Sequence, residues 1–178
     1  DITMTVNAAQ GGKIVSYRLG DKEVLSQTRM PNSFGSTFWT SPQSEWNWPP
    51  VAEYDRKAFK AEVNGNVLVL TGEKSERFGY RVRKEFKADA KNNSIAITYT
   101  IVNESGETRK VAPWEISRVP NGGMLFFDAK EATPANNMKG MNFVFEQKAA
   151  WFTLDQDKEN RKINADGKGW LAFSDNGL

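Results

Sequence analysis

Apolar and polar residues alternate along most of this chain in short runs, and turn-forming residues close each run. A period of two puts successive side chains on opposite faces of a strand. Residues 2–6 and 13–19 read as strands joined by a loop, and Gly20-Asp21-Lys22 turns the chain into a third strand at 23–26. Runs at 58–63 and 66–71 flank Asn64-Gly65. Both residues of an Asn-Gly pair tolerate positive φ, so this pattern predicts a tight hairpin. Residues 78–88 place Tyr80, Val82, Lys84 and Phe86 on one face, with Arg81, Arg83, Glu85 and Lys87 on an opposite, solvated face. In 94–103, Ile95, Ile97, Tyr99 and Ile101 point one way. Further strands are expected at 108–119, 124–128, 142–147, 150–154 and 170–174, with loops over 129–139 and 155–168. No segment combines a helix start signal, a 3.6-residue stripe and a stop.

Strands joined by short turns imply an all-β, mostly antiparallel sandwich or barrel. The 178 residues suffice for one domain with a sizeable core, expected over 1–178. The final segment, WLAFSDNGL at 170–178, stops as a strand gives way to a turn. The expectation therefore includes an incomplete C-terminus, 1–178 being the N-terminal portion of a longer sheet protein with an open edge strand. The first residue is Asp1, consistent with a removed leader or a boundary within a longer chain.

Composition narrows the chemistry. Lys and Arg number 24 against 22 Asp and Glu, for a net charge of +2, too even to point to nucleic acid or an anionic membrane. No apolar run approaches the roughly 18 residues that a membrane-spanning helix requires. There is no cysteine and no histidine. Disulfides, thiol nucleophiles, thiolate metal sites and histidine-dependent triads are thereby excluded. Acid–base work falls to Asp, Glu, Tyr, Lys or Arg. No metal or cofactor site is expected: Asp155, Asp157 and Glu159 alternate like ligands, but Lys158, Arg161 and Lys162 dilute them and the spacing is not that of a calcium loop.

Two segments carry candidate chemistry. Residues 39–50, WTSPQSEWNWPP, hold three of six tryptophans. Pro42 and Pro49 bias Ser41 and Trp48 toward extended backbone, which would put Trp46 and Trp48 on one side and Glu45 and Asn47 on the other. Rigid indoles beside Glu45, Gln43 and Asn47 suit the apolar face and hydroxyl rim of a sugar. Residues 111–123, VAPWEISRVPNGG, place Trp114, Ile116 and Arg118 on one face and Pro113, Glu115 and Ser117 on the other. Both faces mix apolar and charged groups, so Glu115 and Arg118 are expected to be buried or half-buried in a pocket, with partners. Pro113 suggests a bulge or a sheet edge. A pocket joining Glu45, Glu115 and Arg118 to Trp46, Trp48 or Trp114 would suit a glycan, with Glu45 and Glu115 as candidate acid and base.

The strings GGKIVSYRL (11–19), SPQSEWNWPP (41–50) and VAPWEISRVPNGG (111–123) resemble an uncharacterised bacterial domain family of the galactose mutarotase-like superfamily. That resemblance implies an antiparallel β-supersandwich with a sugar cleft on a concave face. In the superfamily's epimerases, a strand after an asparagine-containing turn delivers an essential histidine. Residues 102–119 resemble that region in layout but offer Trp114, Glu115 and Arg118 instead. The epimerase's glutamate base lies on a late strand, which this chain is expected to end before. The fold can be inherited without the reaction.

The leading expectation is an exported, extracytoplasmic carbohydrate-binding protein lacking the histidine-based mechanism. One alternative is a sugar epimerase or lyase-like enzyme using carboxylates, and another is a non-catalytic interaction module. The sequence leaves oligomeric state open.

Overall fold

The computed structural model describes residues 1–28, 33–129, 131, 133–134, 143–154, 162–175 and 177. Strands take 56% of the described residues and helix 5%. Among the described residues every strand pairing is antiparallel, and the fold is all-β. It divides into two compact units, Asp1–Arg118 and Val119–Leu178. Among the described residues, no helix is long and apolar enough to cross a membrane.

The first unit holds β1 (Ile2–Asn7), β2 (Lys13–Leu19), β3 (Lys22–Glu23), β4 (Ser36–Ser41), β5 (Lys60–Asn64), β6 (Val67–Lys74), β7 (Tyr80–Asp89), β8 (Ser94–Asn103) and β9 (Ala112–Ser117). A 3-10 turn (Gln43–Glu45) and the one-turn helix α1 (Ala52–Asp55) lie between β4 and β5. One sheet runs β1-β2-β4-β9, with β3 paired to β2, and the other runs β5-β6-β7-β8. A hairpin forms where expected, but its turn is shifted by one residue: Asn64 ends β5 and pairs with Val67, the two turn residues are Gly65-Asn66, and of the Asn64-Gly65 pair only Gly65 takes positive φ, at +62°. Ile14 and Phe38 of one sheet share a core with Leu70, Tyr80, Val82 and Phe86 of the other. The unit is thus two packed sheets whose inner faces fill one apolar layer.

Strand β4 departs from the sequence expectation, which leaves 27–38 without a strand. Its buried positions include Ser36, Thr37 and Thr40, so hydroxyl side chains hide the alternation that marks a strand. It lies between β2 and β9 and is covered on both faces, where an apolar-in, polar-out pattern does not apply. Strand β9 is shorter than the expected 108–119 and forms the edge of its sheet, a place that tolerates Pro113.

A buried cation joins the two sheets. Lys84 on β7 is 1% exposed, and its Nζ donates to the Gly11 carbonyl (2.6 Å) and the Gly12 carbonyl (3.3 Å) in the loop between β1 and β2. It also faces the rings of Phe59, Phe38 and Tyr99 at 5.1, 5.8 and 5.9 Å. Gly11 (φ +63°) must be glycine there: a Cβ would stand 2.3 Å from the Asp55 carbonyl oxygen at the end of α1.

The second unit holds β10 (Met124–Ala129), β11 (Thr133–Pro134), β12 (Phe143–Glu146), β13 (Ala149–Thr153), β14 (Ile163–Asn164) and β15 (Gly167–Ser174). Its main sheet runs β12-β13-β10-β15, and β11 pairs with β14. Phe127 stacks on Phe152 at 5.5 Å, and Phe126 on Trp151 at 4.5 Å. Strands β11 and β14, and the start of β15, occupy stretches read from the sequence as loop. Asp155, Asp157 and Glu159 lie outside the described residues, as do Lys158 and Arg161.

Burial lowers the Lys84 ammonium from its usual 10.5 to about 8, against the pull of the Glu115 and Asp55 carboxylates. Between those values the unfolded chain holds a proton that the native chain has lost, so this group makes stability rise with pH. Buried Tyr54 and Tyr99 act oppositely above about pH 10, because burial raises their phenols and only the unfolded chain ionises there. Urea denaturation should therefore show unfolding free energy climbing by about 2 kcal/mol between roughly pH 8 and pH 10. The climb should vanish in Lys84→Met, and a flat wild-type profile would contradict this account of the cation.

Candidate functional site

The pairing of β4 with β9 sorts the candidate residues onto two faces. Phe38 lies opposite Glu115 and Ser36 opposite Ser117, while Trp39 lies opposite Trp114 and Thr37 opposite Ile116. Directly opposed residues share a face. Phe38 stacks on Tyr99 of the second sheet at 4.6 Å, so Glu115 and Ser117 look toward the space between the sheets. Trp39 and Trp114 look outward, edge to face at 5.3 Å. Arg118 follows on the outward side, and its Nη1 donates to Thr37 Oγ1 at 3.1 Å. Its backbone is held at both ends, donating to the Gly35 carbonyl at 3.1 Å and accepting from Ser26 N–H at 2.7 Å.

On the outward face lies a cavity of about 300 Å³, lined by Trp39, Trp48, Thr37, Asp55, Arg56 and Arg118 among others. The Trp39 indole N–H donates to Asp55 Oδ1 at 2.9 Å, fixing both side chains. Trp48 is 69% exposed and meets Trp39 edge to face at 5.9 Å. An indole held this way presents a rigid apolar surface beside charged groups.

The extended reading of residues 39–50 is corrected. Gln43–Glu45 form a 3-10 turn, with Trp46 N–H and Asn47 N–H both donating to the Gln43 carbonyl at 3.1 and 2.7 Å. Asn47 then takes φ +56°, a left-handed conformation that asparagine tolerates. The reversal sends Trp46 and Trp48 to different environments. Trp46 is 3% exposed, donates its indole N–H to the Thr40 carbonyl at 2.9 Å and packs in the core. It offers no face to a ligand. Trp114 is half-buried against Trp39 and Trp46. The Gln43 side chain is exposed and does not line the outward cavity.

The two acids lie apart from that cavity. Glu45 Oε1 accepts from the Tyr80 hydroxyl at 3.2 Å, and Oε2 is buried without a partner among the described residues. Burial raises the Tyr80 phenol, and the Glu45 charge adds to the effect. Glu115 lines a second cavity, about 380 Å³, between the sheets with Tyr99, Ile95, Ile97, Met4 and Leu25. It accepts from the Ser36 and Ser117 hydroxyls. Arg118 is half-buried as expected, but Glu115 is an exposed residue rather than a buried or half-buried one; the protein packed around its carboxylate still raises its pKa, opposed by Ser117, Lys84 and Arg118. The expected single pocket joining Glu45, Glu115 and Arg118 is therefore not formed: Arg118 and Trp48 share one cavity, Glu115 lines another, and Glu45 lines neither. Nor do Glu115 and Arg118 form an ion pair with each other; they stand three positions apart on a strand that ends between them, on opposite faces.

Sequence reasoning did not single out Asp55, Thr37 or Trp39 as site residues. Trp39 sits in the tryptophan-rich segment itself, but its partner Asp55 is brought in by α1, a turn too short to leave a periodic signal. Among the described residues, no group of three or more Asp, Glu, His or Cys could hold a metal ion. The second unit has a larger hollow, about 490 Å³, lined by Phe127, Trp170 and Leu171 and, among the described residues, by no titratable side chain. Size favours that hollow, whereas convergent polar groups favour the outward cavity of the first unit. Comparison with protein-family models, curated proteins and solved structures returns no match.

The Glu115 environment gives a stability test. A carboxyl whose folded pKa is raised holds its proton longer in the native state, so stability falls as pH rises through that interval and stays lower above it. Glu115→Gln removes the charge and keeps most of the shape. Its melting temperature should exceed wild type at neutral pH, and the gap should close below about pH 4.5, the ordinary glutamate value. A variant less stable than wild type at neutral pH would mean that the charged form is favoured where it sits.

Proposed function

We propose that the unit Asp1–Arg118 binds carbohydrate in the outward cavity, with Trp48 as the stacking surface. The observation that carries this reading is the 69% exposed Trp48 indole at a cavity of about 300 Å³ that Arg118 and Asp55 also line. The C–H face of a sugar ring matches an indole, and its hydroxyls match a guanidinium fork and a carboxylate. The volume is at the small end of ligand sites, which run from roughly 300 to 1,000 Å³. The resemblance of residues 11–19, 41–50 and 111–123 to the mutarotase-like superfamily supports the same ligand class. Histidine is absent, so the epimerase mechanism of that superfamily is not part of the proposal. Paired-carboxylate catalysis is not favoured either, because Glu45 and Glu115 do not line a common cavity.

Tryptophan emission during titration with a panel of mono- and oligosaccharides tests the reading. Trp48→Ala should weaken binding at least tenfold, since truncating an aromatic anchor of a binding site typically costs about 2 kcal/mol or more. Its melting temperature should stay close to wild type, because an exposed side chain contributes little to the core. Trp46→Ala should instead destabilise the fold by about 3–5 kcal/mol. Unchanged emission with every sugar at millimolar concentration would remove the carbohydrate reading.

A further inference from the structure

We infer that the ligand of the outward cavity is an acidic sugar, one that carries a carboxylate or a phosphate or sulfate ester. This rests on the carbohydrate reading above and adds the charge of the ligand. Among the described residues, Arg56 and Arg118 line the cavity together with one acid, Asp55. Among the described residues none of the three belongs to an ion pair. Asp55 already accepts the Trp39 indole N–H on Oδ1, so part of its capacity is committed to holding the wall in place. The nearby acid on α1, Glu53, is paired with Lys57 at 2.8 Å and does not line the cavity.

Arg118 is built to receive an oxyanion. Thr37 Oγ1 takes one of its donors, and both backbone groups of the residue are bonded, so the planar fork is oriented before a ligand arrives. Burial pushes its pKa down, opposed by the Asp55 and Glu115 charges, so the guanidinium has given up hydration that those acids only partly replace. An anion on the ligand supplies the missing partner, while Trp48 takes the ring face. A neutral sugar would lie on the same indole and offer no charge to Arg118.

Calorimetric titration of the full chain with glucuronate, glucose 6-phosphate and glucose, at low and high salt, tests this. At low salt at least one acidic sugar should bind ten or more times more tightly than glucose, and the advantage should shrink at high salt. The better of the two identifies the oxyanion. Arg118→Gln should erase the advantage, and if that variant fails to fold, Arg56→Gln, at an exposed position, should reduce it several-fold. Glucose binding as tightly as both acidic sugars would overturn the inference and leave the carbohydrate reading intact. Binding of none of the three would overturn this inference, and the wider saccharide panel would then decide the carbohydrate reading. Acetate or inorganic phosphate binding as tightly as the corresponding sugar would mark a plain anion site and sink the sugar reading instead.

Discussion

The buried Lys84 ammonium is the constraint from which the first unit's site follows. A cation in an apolar layer is costly unless it is bonded, and here the bonds come from two consecutive main-chain carbonyls, Gly11 and Gly12. Those carbonyls converge only because both residues take positive φ, at +63° and +57°. The same loop closes on α1, where Gly11 N–H donates to the Lys57 carbonyl at 2.8 Å. Helix α1 in turn delivers Asp55 to the Trp39 indole. A cation in one sheet thus fixes a loop of the other, the loop fixes a helical turn, and the turn fixes a wall of the outward cavity. Removing the charge would relieve its desolvation but leave two carbonyls without a donor, so the interaction is better understood as specifying geometry than as adding stability.

Strand β4 carries the second organising constraint. Its register with β9 puts Phe38 beside Glu115 and Trp39 beside Trp114, so neighbouring positions serve different compartments. Phe38, between the sheets, completes the core with Tyr99. Trp39, on the other side, touches three tryptophans, at 5.3, 5.8 and 5.9 Å, and connects the buried Trp46 to the exposed Trp48. The indole cluster is therefore graded from core to solvent. Its inner member secures the loop to Thr40, and its outer member is held by ring contact.

Much of the sheet framework was legible in the sequence because it rests on local rules. The hairpin at Gly65, the alternation through β7 and the limits of β8 depend on turn chemistry and period two, and both operate over a few residues. Strand β4 escaped because a strand covered on both faces by hydroxyl and aromatic groups has no contrast between its sides. The parity that separates Glu115 from Arg118 was present in the sequence, and a shared pocket for the two runs against it. The divergence of Trp46 and Trp48 was not visible, since it turns on the left-handed φ of Asn47, a choice made by packing. Asp55 entered the site through a tertiary contact across sixteen positions, beyond the reach of any spacing rule.

An exposed tryptophan says little alone, since apolar atoms make up much of any protein surface. Trp48 differs in what surrounds it. Free in a loop, an indole would lose rotational freedom on binding and forfeit part of its stacking energy. Here Pro49 restricts the backbone after it, and Trp39 meets its ring, itself held by Asp55. The entropy of ordering the platform is met by folding rather than by the ligand. The same hydrogen bond that steadies Trp39 occupies an oxygen of Asp55, the one carboxylate among the described lining residues, so a single side chain serves both the apolar and the polar wall. The fixed position of the Trp39 indole and the arrangement of the charged wall are thereby coupled through Asp55.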